Sequence, residues 1–495
     1  MQYVISIDQS TQGTKALLFD KNGTLMCRED LPHRQLINEK GWVSHDPEEI
    51  YDNVIKVVRA VLTKANVSPE HVVALGISNQ RETSVIWDKY SGKSLGNAIV
   101  WQCSRAADIC NRKSIKEFSE EILNKTGLKL SPYFPAAKIA WLLENTVGAK
   151  QLQKEHRVCH GTVDTFLVYR LTKGKTYGTD YSNASRTQLF DIFNLQWDPQ
   201  ICNLFGIDYQ DMPQVYDSNA CFGYTDMEGI FSEPIPINAV MGDSNGALFG
   251  QGCLHKGMVK ATYGTGSSIM MNIGETPIIS EHGLVTSLAW GIDGRVEYVL
   301  EGNLNYTGAV ITWLKDDLGL IDNPSQTEEL AYIATNNDNL YVVPAFSGLG
   351  APYWNPEATA AIIGMTRTTK RAEIVRAAVE CIAYQITDIV RAMSMDSHID
   401  IAELRVDGGP TKNKYLMDFQ SNITGCVVTV PNQEELSGIG VAYMAGQSVG
   451  VWSDEIFNKM KRKRHEPDMD RIVAAEKYRG WKSAVAFVNK EMDNE

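Results

Sequence analysis

The sequence predicts an α/β protein whose two halves use one strand-end design around a cleft. Three observations support this. Tyr3-Val4-Ile5-Ser6-Ile7 is a β-rich run that ends on Asp8 and a turn of small and polar residues, Gln9 to Thr14. The same grammar returns past the middle, where Gly264-Thr265-Gly266 lies between two β-prone runs and Leu404-Arg405-Val406-Asp407 closes on Gly408-Gly409. Strand-like and helix-like stretches alternate along the chain, the pattern of an α/β protein with ligand groups at strand ends.

In chain order, Lys15 to Asp20 reads as a second strand, closed by the turn Lys21-Asn22-Gly23. Asp46-Pro47-Glu48-Glu49 has the cap, the proline and the first-turn acids of a helix start, predicting a helix to about Ala65. His71 to Ile77 reads as a buried strand leading into Ser78-Asn79-Gln80-Arg81-Glu82. The chain is expected to divide near residue 250, into domains 1–250 and 251–495. A helix over 372–395 then links strands of the second half, and an amphipathic helix follows Asn413. The basic run Lys459-Met460-Lys461-Arg462-Lys463-Arg464 reads as a solvated helix end rather than a nucleic-acid patch.

Composition narrows the class. A chain of 495 residues is long enough for two or three domains with real cores. Its formal charge of −13 argues against nucleic-acid binding, which rests on phosphate neutralisation by Lys and Arg. No apolar run approaches the ~18 residues of a membrane span. The N-terminus opens directly on a strand-like pattern, so no signal peptide is expected. The nine cysteines are odd in number and scattered, with no CxxC pair, which predicts reduced thiols in a cytoplasmic protein rather than a metal or disulfide framework.

Small-residue turns at strand ends let backbone N–H groups approach phosphate oxygens that a bulky side chain would obstruct. Three such turns, with Asp8 and Asp407 at strand ends, predict a nucleotide-binding cleft. A Walker loop is absent, as is a GxGxxG between strand and helix, so a dinucleotide enzyme is disfavoured.

Longer stretches extend the reading: Ser78-Asn-Gln-Arg-Glu-Thr83, Asn97-Ala-Ile-Val-Trp-Gln-Cys103, Gly161-Thr-Val-Asp-Thr165, Asp180-Tyr-Ser-Asn-Ala-Ser-Arg-Thr187, Thr262-Tyr-Gly-Thr-Gly266, Val343-Pro-Ala-Phe-Ser-Gly-Leu-Gly-Ala-Pro-Tyr-Trp354 and Arg405-Val-Asp-Gly-Gly409. Through them the whole chain resembles the FGGY carbohydrate kinases, and within them the glycerol kinase branch. The resemblance implies two actin-like ATPase (ribonuclease H-like) domains flanking a catalytic cleft, with ATP and Mg2+ as cofactors. It implies a small polyol or sugar as partner, no nucleic acid or membrane, and a possible homo-oligomer.

Carried across by position, the family's acceptor contacts fall on Arg81, Glu82, Trp101, Tyr133 and Asp243. Vicinal hydroxyls need paired donors and acceptors, which Arg81, Glu82 and Asp243 supply, while aromatic faces cover the carbon skeleton. Asp243 is the expected general base, and Asp8 the residue orienting Mg2+ through water. Thr11, Gln12, Lys15 and Thr265 align with the phosphate-binding turns; Gly308, Thr312, Gly409 and Asn413 align with the adenosine side.

This chain departs from the branch at several positions. Ser244 and Ser268 stand where Gln and Phe are usual, which predicts a wider, wetter pocket and an acceptor longer than glycerol, a four- or five-carbon polyol or ketose. Ser10 replaces a Gly, Lys15 an Arg with its planar fork, and Thr312 a Gln. The effector loop through which some bacterial glycerol kinases bind fructose 1,6-bisphosphate has no counterpart in Asp226 to Ser232. The alternatives are glycerol itself, a xylulose-type pentulose and, outside the class, an actin- or chaperone-type ATPase, against which Arg81, Glu82, Trp101 and Asp243 argue.

Overall fold

A computed structural model describes residues 2–335 and 339–489. The first half is built on strands β1 (Tyr3–Gln9), β2 (Gly13–Phe19) and β3 (Leu25–Pro32), which form an antiparallel meander. Helix α1 (Pro47–Ala65) follows. Asp46 caps it by accepting from the Glu48 amide, Pro47 opens the first turn, and Asn66 closes the last in the left-handed region. Its stripe of Ile50, Val54, Val57, Val58 and Val61 is buried against the sheet. Strand β4 (Val72–Asn79) then pairs parallel with β1. After an inserted region that includes helix α2 (Pro135–Asn145), strand β5 (Ile235–Gly242) pairs parallel with β4 and runs directly into helix α3 (Asp243–Gly250).

The second half repeats this order. Strands β6 (Val259–Tyr263), β7 (Ser267–Gly274), β8 (Val285–Ile292) and β9 (Arg295–Leu304) pair antiparallel, β7 lying between β6 and β9. Helix α4 (Arg371–Ser397) leads to β10 (Glu403–Asp407), parallel to β6. Helix α5 (Lys414–Thr424) leads to β11 (Val427–Pro431), parallel to β10. Both sheets therefore share a five-strand core paired antiparallel, antiparallel, parallel, parallel, as β3-β2-β1-β4-β5 and β9-β7-β6-β10-β11, with further antiparallel strands at their edges. The strand-end echo in the sequence is this shared topology. The parallel central strands are apolar on both faces because both faces are covered.

Helix α6 (Leu436–Ser448) comes from the second half yet packs on β1, β4 and β5 of the first, crossing α3. The contact is backbone on backbone: a Cβ added to Gly440 would lie 1.9 Å from the Gly246 carbonyl oxygen. The chain closes with β12 (Arg462–His465) and helix α7 (Arg471–Val488). Of the expected solvated helix end at 459–464, Lys459 does close a short helix (Asp454–Lys459), but the residues from Arg462 form β12, an edge strand on β11. Seven of the nine free cysteines are buried, Cys27 is partly so and Cys221 is exposed. No described helix is long and apolar enough to cross a membrane.

Candidate active site

Four strand ends converge on one cleft. Asp8 closes β1, Arg81 and Glu82 follow β4, Asp243 follows β5, and Gly264-Thr265-Gly266 joins β6 to β7. Arg81 and Glu82, both expected at the acceptor, belong to a buried ionic network. Arg81 is 5% exposed and forks onto Glu301 of β9, at 3.0 and 2.6 Å. Arg186 donates to Glu82 Oε1 at 2.6 Å and lies 2.9 Å from Glu301. Burial pushes the Glu301 carboxyl up, but Arg186 and Arg81 together outweigh it and hold it well below the usual range. Arg81 Nε is left without a hydrogen-bond partner and lies 3.6 Å from Asp243 Oδ1.

The fork of Arg81, expected to serve substrate hydroxyls, is thus engaged by Glu301, and its buried Nε is left near Asp243 and Glu82. Asp243 opens α3, and its Oδ1 accepts from the Ser244 amide at 2.6 Å. Its side chain is 35% exposed, and Oδ2 has no partner among the described residues. Burial raises the Asp243 pKa, against the pull of Arg81.

Trp101 and Tyr133 meet edge to face with ring centroids 5.7 Å apart, forming one aromatic corner. The Trp101 indole donates to the Thr11 hydroxyl at 2.9 Å, joining this corner to the β1–β2 turn. In that turn Ser10 bonds Gly13 through both its amide and its hydroxyl, and Gln12 is exposed. Lys15 lies 2.7 Å from Glu435 and 3.8 Å from Asp8. Burial pushes the Asp8 carboxyl up to about 6, against Lys15, and its Oδ1 is buried without a partner.

Main chain builds the other side. The Gly264 and Thr265 carbonyls accept from the amides of Thr307, Gly308 and Ala309. A Cβ on Gly308 would meet Gly264 O at 2.7 Å, so the approach needs glycine. Gly308, Thr312, Gly409 and Asn413, all predicted on the adenosine side, line one cavity of about 840 Å³ with Ile311, Tyr332, Val379 and Leu416. Two of their side chains are engaged locally: Thr312 with the Gly308 carbonyl, and Asn413 as the cap of α5 and with Thr327.

Sequence reasoning missed Arg186, Glu301 and Lys260. Each had a signal: Arg186 lies inside the Asp180–Thr187 stretch, Glu301 is a lone charge in the apolar run from Tyr298, and Lys260 opens the Gly264 segment. Lys260 is fully buried and bonds Thr262 and Ser268 at 3.2 and 3.3 Å. Burial lowers its pKa, with Asp407 and Glu301 opposing. The Ser268 hydroxyl also donates to Glu301 at 3.2 Å, so it belongs to the network rather than standing free.

Residues 3–250 match the N-terminal domain of the FGGY family of carbohydrate kinases and residues 259–449 its C-terminal domain. The chain belongs to that family. The kinase is 46% identical to a glycerol kinase of Caldanaerobacter subterraneus subsp. tengcongensis over 98% of each chain. It is 46% identical to glycerol kinase 1 of Thermotoga maritima, over 98% of this chain and 99% of the other. Its structure matches the glycerol kinase of Plasmodium falciparum with ADP at a TM-score of 0.93, 35% identity and 99% coverage of both. A xylulose kinase from Lactobacillus acidophilus, at 20% identity and a TM-score of 0.87, shares the fold. The kinase is therefore an ATP-dependent phosphotransferase with an alcohol group as acceptor, on the expected two-part actin-like fold; the reading as a polymerising or chaperone ATPase falls away.

Proposed function

We propose that the kinase transfers the γ-phosphate of ATP to a terminal hydroxyl of a small polyol, with glycerol the favoured acceptor and Asp243 the general base. The observation that carries this is the contrast among the carboxylates: Glu82 and Glu301 are locked in arginine pairs, whereas Asp243 keeps Oδ2 unpartnered in the cleft. In this reading residues 1–250 bring the acceptor groups and the base, and residues 251–495 bring the nucleotide cavity. Asp243 takes the acceptor's hydroxyl proton as the oxygen attacks the γ-phosphorus, and ADP leaves from the opposite side. Its raised pKa moves the carboxylate toward the range of an effective base. Arg81, Glu82, Trp101 and Tyr133 orient the acceptor; Thr11, Gln12, Lys15 and Thr265 border the phosphates. The orphaned Oδ1 of Asp8 fits a hydrated divalent cation; Mg2+, when bound, neutralises phosphate charge.

Full-length likeness to glycerol kinases favours glycerol over the longer acceptor that Ser244 and Ser268 lead one to expect. A physical reason is at hand, since the Ser268 hydroxyl is already held by Glu301 and Lys260. The longer acceptor stands as a second reading because both serines are small and only partly buried. A substrate panel decides. A kcat/KM for glycerol above that of every tetritol, pentitol and pentulose supports the first reading; a longer acceptor ahead by about tenfold or more replaces it. Asp243→Asn is expected to lower kcat by about 10²–10⁴-fold with ADP affinity retained, and unchanged turnover would remove the base assignment.

A further inference from the structure

A buried lysine lies outside the ionic network. Lys138, the fourth residue of α2, is fully buried, as are its chain neighbours Ala136, Ala137, Ile139 and Ala140. An ammonium there is costly, and an apolar side chain of similar volume would serve packing as well or better. Stability therefore does not explain it. Its partners do. Lys138 Nζ donates to two main-chain carbonyls, those of Tyr133 and of Glu82, the latter at 3.4 Å.

Both carbonyls belong to residues assigned above to the acceptor. Glu82 has a φ of 60°, a left-handed conformation that a non-glycine residue holds only when its surroundings impose it. The ammonium also sits 5.6 Å from the centre of the Tyr133 ring, whose edge contact with Trp101 forms the aromatic corner. Burial lowers the lysine's pKa to about 7, with Glu82 opposing.

We propose that Lys138 is a positioning residue of the acceptor pocket, whose ammonium ties the Glu82 turn to the Tyr133 loop and so aims both at the acceptor. It touches no reacting atom. The proposal rests on the reading of Glu82 and Tyr133 as acceptor ligands, so the test carries a control for that reading.

Lys138→Met keeps the stem and removes the donors; Lys138→Gln keeps one donor group. Steady-state kinetics with glycerol and ATP, and ADP titrations, are compared for both variants and for Glu82→Gln. The expected result is a glycerol KM raised about tenfold or more in Lys138→Met, less in Lys138→Gln, with ADP affinity within about twofold of the parent. The melting temperature of Lys138→Met is expected to move by only a few degrees, because losing a buried charge offsets part of the cost of two carbonyls left without a donor. A merely structural role would instead weaken glycerol and ADP alike; that outcome overturns the proposal. If Lys138→Met does not fold, the same readouts on Lys138→Gln decide. An unchanged glycerol KM in both lysine variants, with a raised one in Glu82→Gln, overturns the role of Lys138 alone. An unchanged value in Glu82→Gln overturns the acceptor-site reading beneath it.

Discussion

The two ends of the cleft are made of different materials. Around Asp243 the walls are charged side chains held by each other: Arg81 and Arg186 against Glu82 and Glu301, almost without solvent. Around Gly308 they are main chain, with the Gly264 and Thr265 carbonyls docked on the amides of residues 307–309. Reciprocal charges fail when one partner is removed, whatever replaces it. Backbone contacts tolerate most neighbouring side-chain changes but not a single methyl group in the wrong place.

The largest effect is therefore expected at Glu301. Glu301→Ala strips Arg81 of its forked carboxylate and leaves Arg186 with Glu82 alone, and should cost about 3–5 kcal/mol, read from the denaturant midpoint, with a raised acceptor KM and intact ADP binding. Equal losses at both ligands would show that the two ends are one unit. Gly308→Ala should do the reverse, raising the ATP KM about tenfold (~1.4 kcal/mol) while the acceptor KM holds, since the new methyl strikes Gly264 O. Asn413→Ala removes a helix cap and should cost about 1 kcal/mol of stability, measured by thermal unfolding.

The smallest effect tests the electrostatics by sign. The Asp8 carboxyl titrates at about 6 in the folded chain, above the ~3.9 of a free Asp. A carboxyl raised on folding favours the folded state at low pH and loses that contribution as pH climbs through about 6. Asp8→Asn should therefore raise the melting temperature slightly near pH 7.5 and hardly change it near pH 4. Glu301 has the opposite sign: its contribution is present above about pH 4.3 and is lost only as pH falls toward its depressed folded value. An Asp8→Asn gain that grows at low pH would break the contrast.

What was legible in the sequence follows the same divide. Strand ends, turns and the α1 cap are local, so Asp8, the Gly264 turn, Gly409 and the helix from Pro47 could be read from neighbouring residues. Glu301 and Arg81 are 220 residues apart, and nothing local says that they meet. The stretch around Arg81 suggests an acceptor ligand, but nothing in it shows that the fork is held by Glu301 on a strand of the other half. Ser268 was judged by its size, whereas its hydroxyl is set by Lys260, one strand across. The basic run at 459–464 misled for a related reason: edge strands and exposed helix ends both favour Lys and Arg, and only pairing with β11 separates them.

The crossing of α3 and α6 has a mechanical meaning. Where Gly440 meets Gly246, no side chain lies between the two backbones to give way, so the helices behave like parts of one bearing. Asp243 stands at the head of α3, three residues from that bearing point. Asp243 thus takes its coordinates from a segment more than 180 residues further along the chain. A methyl group at position 440 would displace it without altering any group in the cleft itself.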